Sequence, residues 1–167
     1  MQDKELKEIF ENYQAVAEDF EVDQITYGHI NKTYKIRNSN QSYILQILNT
    51  DIFKNLQAIS DNISLLNSHL SKKDYPYQVL EALAFSDGNY LHNGNTRLFK
   101  FIEDSQTFLK VQSTEQANKA AKCLSYFHAA LDDLETEKII DSIPGFLDFN
   151  LRFEQYQTAK SHVSQER

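Results

Sequence analysis

Phe20-Glu21-Val22-Asp23-Gln24-Ile25-Thr26-Tyr27-Gly28-His29-Ile30-Asn31-Lys32-Thr33-Tyr34-Lys35-Ile36-Arg37 is the stretch whose reading decides the fold. Two runs rich in β-branched and aromatic residues, Phe20 to Tyr27 and Lys32 to Arg37, flank the turn-forming Gly28-His29-Ile30-Asn31. That is the pattern of a hairpin. A third run, Ser42 to Leu48, follows across Asn38-Ser39-Asn40-Gln41, so the three predict an antiparallel meander. Alternation on the third strand puts Ile44 and Gln46 on one face and Tyr43, Leu45 and Ile47 on the other.

Outward from the meander the period changes. Before it, Leu6, Ile9, Phe10, Tyr13 and Val16 recur at helical spacing among polar residues, predicting an amphipathic helix. After it, Asn49-Thr50-Asp51 reads as a capping cluster, and Phe53, Leu56, Ile59, Ile63, Leu66 and Leu70 form a second helical stripe. Past Pro76 two more strands are expected, Tyr77 to Phe85 and Thr96 to Ile102, with a short one at Tyr90-Leu91 between turns at Ser86-Asp87-Gly88-Asn89 and His92-Asn93-Gly94-Asn95. Ser113 and Gln116 have capping-box spacing and open a helix through Ala117, Ala120, Ala121, Leu124, Phe127 and Leu131, whose small residues predict close packing. A connection at Ile139 to Phe146 leads to a last helical pattern with Phe153, Tyr156 and Ala159. The predicted class is α+β, with a mainly antiparallel sheet of five to six strands and packed helices.

Composition narrows the function. A chain of 167 residues with 24 acidic against 17 basic side chains, net −7, lacks the clustered cations of a duplex nucleic-acid surface. The single Cys123 lies in the Ala-rich helical pattern and reads as a small buried thiol in a reducing cytoplasm. No stretch approaches the roughly 18 apolar residues of a membrane span. His29, His69, His92 and His162 show no metal-ligand spacing with Cys123 or one another, and His128 reads as a packed or capping residue.

Five strings in order then carry a resemblance: Gly28-His29-Ile30-Asn31-Lys32-Thr33-Tyr34, Tyr43-Ile44-Leu45-Gln46, Asp61-Asn62-Ile63, Arg97 to Ser105, and Ile143-Pro144-Gly145-Phe146. Together they resemble the aminoglycoside phosphotransferase and choline kinase superfamily, and within it the N-acetylhexosamine 1-kinase-like sugar kinases. The resemblance implies a protein-kinase-like nucleotide-binding lobe over residues 1–102, a hinge over 103–112, and the helical start of a second lobe over 113–167. It implies ATP as ligand and a sugar or other small molecule as acceptor, with neither nucleic acid nor membrane as partner. Gly28, His29, Ile30, Asn31, Lys32 and Thr33 would form the hairpin over the phosphates. Ile44 would support the adenine, and Gln46 would take the place of the strand-three lysine. Asp61 would orient Gln46, Phe101, Ile102 and Glu103 would form the hinge, and Asp104 and Ser105 would approach the acceptor.

Gln46 departs from the general kinase pattern, because an amide brings hydrogen bonds to phosphate but no charge. Read from the residues alone, Gly28 to Thr33 is an ordinary hairpin turn and Glu103-Asp104-Ser105 a polar loop before a helix, while Asp61 is equally a solvated helix-face carboxylate. The proton-accepting Asp and the Asn and Asp that hold Mg2+ in this chemistry have no counterpart in the chain. No catalytic residue and no metal ligand is therefore expected within it, and Mg2+ only in a complete protein. The expectation is a truncated kinase, inactive alone and prone to self-association where its second lobe would pack. A non-catalytic nucleotide-binding or interaction module is the alternative.

Overall fold

In the computed structural model, which describes residues 3–13, 20–39 and 41–165, the meander forms as its alternation dictates. Val16 and Asn40 of the sequence reading, and the His162 side chain, lie outside the described residues. Strands β1 (Glu21–Ile25), β2 (Lys32–Arg37) and β3 (Ser42–Ile47) pair antiparallel, with Thr33 opposite Gln46 and Tyr34 opposite Leu45. The chain then runs through helix α2 (Leu56–Leu70), the two-residue strand β4 (Ala82–Leu83) and strand β5 (Thr96–Lys100). β5 pairs with β3 on one side and β4 on the other, giving a five-stranded antiparallel sheet in the order β1-β2-β3-β5-β4.

One face of the sheet is the core. Tyr34, Ile36, Tyr43, Leu45 and Leu98 point to it and pack on Leu6, Ile9 and Phe10 of helix α1 (Asp3–Glu11), with Phe85 closing the edge. Phe10 meets Tyr43 edge to face at 5.5 Å, the favoured arrangement of aromatic pairs. Strand pairing puts Thr33, Lys35, Ile44, Gln46, Arg97 and Phe99 together on the opposite face.

Several expectations are corrected. The Tyr77 to Phe85 strand shrinks to two residues, because the chain turns at once: Phe85 N–H donates to Asn89 O at 2.8 Å and Gly88 N–H to Phe85 O at 2.8 Å. Tyr90-Leu91 is no strand, and only His92 bridges to Thr96. Asn49-Thr50-Asp51 forms a turn of its own, while Asn55 caps α2 by accepting from Ala58 N–H at 3.1 Å.

Ser113 caps helix α3 (Thr114–Ala130) as expected, accepting from Gln116 N–H at 3.1 Å, and Gln116 Oε1 reaches back to Gln112 N–H at 2.6 Å. No residue of α3 is buried, so its alanines are not closely packed, and Cys123 is half-buried rather than buried. A 3-10 turn (Thr136–Lys138) leads to helix α4 (Phe149–Gln165), capped by Asp148 through Leu151 N–H at 3.0 Å. Among the described residues, no helix is long and apolar enough to cross a membrane.

Candidate functional site

The candidate site is built on the sheet face turned away from α1. The β1–β2 loop that precedes it is exposed from Thr26 to Ile30, including Gly28, His29 and Ile30. Its far end is fixed, since Asn31 Oδ1 accepts from Asn49 N–H at 2.9 Å and ties the loop to the end of β3. Lys32 is exposed and Thr33 half-buried. A Cβ on Gly28 would meet nothing within 4 Å, so the space over that backbone is open.

Behind the loop, one row of side chains crosses three strands: Thr33 on β2, Gln46 on β3 and Arg97 on β5. Arg97 Nε and Nη2 both donate to Gln46 Oε1, at 3.0 and 2.6 Å, and Gln46 Nε2 donates to Thr33 Oγ1 at 3.3 Å. Gln46 therefore does stand on the open face, but with its carbonyl oxygen already engaged. The next row is Lys35, Ile44 and Phe99, with Phe101 following at the end of β5. Lys35 Nζ lies 3.5 Å from the Phe101 ring centroid and Arg97 Cζ 4.8 Å from that of Phe99, both cation–π distances.

The structure does not bring every predicted residue into this arrangement. Asp61 is exposed on α2 and accepts from Gln57 Nε2 at 2.9 Å, one turn away on its own helix, rather than from Gln46. Phe101 and Ile102 are half-buried and Glu103, Asp104 and Ser105 exposed, with Asp104 in the left-handed region at φ 57°. Phe101, Ile102 and Glu103 line an open groove of about 580 Å3 with Tyr77, Val79 and Glu81 and the end of α2, away from the hairpin loop. Among the described residues, no three His, Cys, Asp or Glu side chains come together as a metal site.

In the sequence Arg97 stands out only as the first residue of the Arg97 to Ser105 string. Its signal was there, a cation alternating with Phe99 and Phe101 on one face of an apolar strand. Burial pushes its pKa down to about 10, so it stays protonated at neutral pH. Lys35 carried no signal, because a lysine on a strand face is ordinarily solvated.

No protein-family profile matches the sequence. The fold is similar to the crystal structure of the spectinomycin phosphotransferase APH(9)-Ia in complex with ADP and spectinomycin, with a TM-score of 0.51 and 13% identity. The match covers 78% of this chain and 38% of that one. The chain thus shares the kinase-like N-lobe fold of that phosphotransferase and spans well under half of its length.

Proposed function

We propose that the chain is the nucleotide-binding lobe, with the start of the helical lobe, of an ATP-dependent phosphotransferase acting on a small-molecule hydroxyl, a sugar or amino sugar. The observation that carries this is the open sheet face. Strand order β1-β2-β3-β5-β4 sets an exposed hairpin loop, a row of hydrogen-bonding side chains and the apolar Ile44 in succession, and β5 then runs into Phe101, Ile102 and Glu103. A triphosphate under the loop, a base against Ile44 and a base edge on the hinge backbone follow that succession. Asp104 and Ser105 follow Glu103 within the hinge segment, where an acceptor would approach. Residues 1–102, 103–112 and 113–167 divide accordingly into lobe, hinge and second-lobe helices.

Phosphoryl transfer depends on positioning and on electrostatic stabilisation of the moving phosphoryl group, to which Mg2+ contributes. The described residues assemble no cluster of three His, Cys, Asp or Glu side chains that could hold a metal. What these residues do is bind and orient ATP. The same reading accounts for α4, where Phe149, Phe153 and Tyr156 are 78%, 49% and 58% exposed, as a face that a second lobe or another copy would cover.

Calorimetric titration with ATP and ADP, each with and without Mg2+, tests the proposal. Saturable ATP binding that ADP displaces is expected, and a chain that binds neither overturns it.

A further inference from the structure

Resting on the nucleotide-binding reading, we infer that Arg97 is the cation for the nucleotide's phosphates: the charge a strand-three lysine carries in kinases sits one strand over, on β5, and Gln46 holds it there. The Gln46 amide cannot supply charge, and its carbonyl oxygen accepts both the Nε and Nη2 protons of Arg97. Thr33 completes the row by accepting from Gln46 Nε2, which fixes the amide so that its oxygen faces the guanidinium. Gln46 is thus the positioning residue and Arg97 the binding one.

Three observations point to an anion. Among the described residues, no carboxylate lies within ion-pair distance of Arg97, whereas Arg37, Lys73, Lys100, Lys119 and Lys138 each have one. Its Nη1 is buried and has no hydrogen-bond partner. A buried charged donor left unpaired is costly, and the cost is removed when an anion supplies both the lone pair and the charge. Finally, the guanidinium belongs to the face that carries Ile44 and Gln46, in the row nearest the β1–β2 loop. With Nε and Nη2 given to Gln46, the Nη1 side of the guanidinium is the part left to donate to a phosphate oxygen.

The test titrates ATP, inorganic tripolyphosphate and adenosine into the full chain, into Arg97→Met, and into the double variant Gln46→Lys with Arg97→Met, which returns the cation to β3. Losing charge-assisted hydrogen bonds should weaken ATP binding by roughly 10- to 100-fold in Arg97→Met. Adenosine affinity should stay within about twofold, and the double variant should regain ATP binding, which no purely structural role of Arg97 would produce.

If Arg97→Met does not fold, Arg97→Lys serves, since it keeps the charge but loses the fork. A loss in ATP affinity of about threefold or more with adenosine unchanged is then expected. Either variant binding ATP as the parent does overturns the role of Arg97 and leaves the nucleotide reading standing. Parent chain that binds tripolyphosphate but neither ATP nor adenosine overturns the assignment to a nucleotide. Parent chain that binds none of the three overturns both.

Discussion

Asn62 and Ile140, 78 positions apart, are joined by two hydrogen bonds: Asn62 Nδ2 donates to Ile140 O at 2.8 Å, and Ile140 N–H donates to Asn62 Oδ1 at 3.0 Å. The side-chain amide thus satisfies both backbone groups of one residue, as a neighbouring strand would. It fastens the segment after the 3-10 turn to α2, beside the contact of His69 Nε2 with Ala130 O at 3.0 Å. Asn62→Ala removes both bonds and should cost about 1–2 kcal/mol. Hydrogen exchange locates the effect: the Ile140 amide should lose protection while the amides of β3 keep theirs.

Gln46→Leu has a different consequence, because it leaves Arg97 Nε and Nη2 without an acceptor next to an Nη1 that already has none. Stranding a buried charged group should cost about 1–3 kcal/mol, seen as a lower urea midpoint at unchanged slope. Gln46→Glu keeps the acceptor and adds the opposite charge, so its midpoint should stay at or above that of the parent. A fall of equal size in both variants would mean that Arg97 does not depend on residue 46.

Caps separate what the sequence stated from what it concealed. Asn49-Thr50-Asp51 and Asn55 are equally good capping chemistry on paper, and the apolar Phe53 made the earlier start of α2 look natural. In the structure Asn49 is drawn instead to Asn31 and to its own turn, so that Asn55 caps the helix. Asn55→Ala should therefore cost about 1 kcal/mol and Asp51→Ala less than about 0.5 kcal/mol, by thermal or urea melts.

The same distinction runs through the molecule. The meander, its register and the core face were legible because a period of two leaves no choice once one face is buried. The extent of β4 was not, since the turn at Ser86 to Asn89 competes with the ladder for the same backbone groups. At the site, the row position of Gln46 followed from alternation. Its partners did not, because Thr33 and Arg97 lie on other strands and only pairing brings them together. Asp61 was assigned by resemblance, and its link to Gln57 could not be foreseen at the expense of one to Gln46.

Asp133 should give the molecule an acid-sensitive contact. Lys73 Nζ donates to its two oxygens at 2.7 and 2.5 Å, and His69 Nε2 stands 3.2 Å from Oδ1. The hydrogen bond from Lys73 holds the carboxyl below the usual carboxylate range, with the charge of Lys73 adding to it. A carboxyl whose pKa is lower folded than unfolded contributes stability above its unfolded value, and the contribution is lost as pH falls through the folded one. The advantage of the parent over Asp133→Asn should be full above an unfolded pKa of about 3.9 and fade below it as pH falls toward and through the lower folded value. It should also shrink in high salt, since the pair is exposed. Urea melts of both proteins at pH 7, 5 and 3 check this, and a difference independent of pH would refute it.

Two glycines of the resembling strings should part company on substitution. Gly145 has φ 70°, in the left-handed region, and a Cβ there would stand 2.7 Å from Leu151 Cδ2. Gly145→Ala meets both obstacles and should lose on the order of 1–2 kcal/mol, read as a lower thermal midpoint. Gly28 carries neither constraint, since its φ lies outside that region and its Cβ would meet nothing within 4 Å. Gly28→Ala should leave the midpoint within the range of about 0.5 kcal/mol usual for surface changes. On the proposed function, however, the open space over Gly28 is where phosphate oxygens approach the backbone, and a methyl group there should weaken ATP binding by about tenfold while sparing adenosine. A Gly28→Ala chain as stable as its parent and equally tight for ATP would reduce Gly28 to an ordinary turn residue and leave Arg97 as the phosphate contact to be tested.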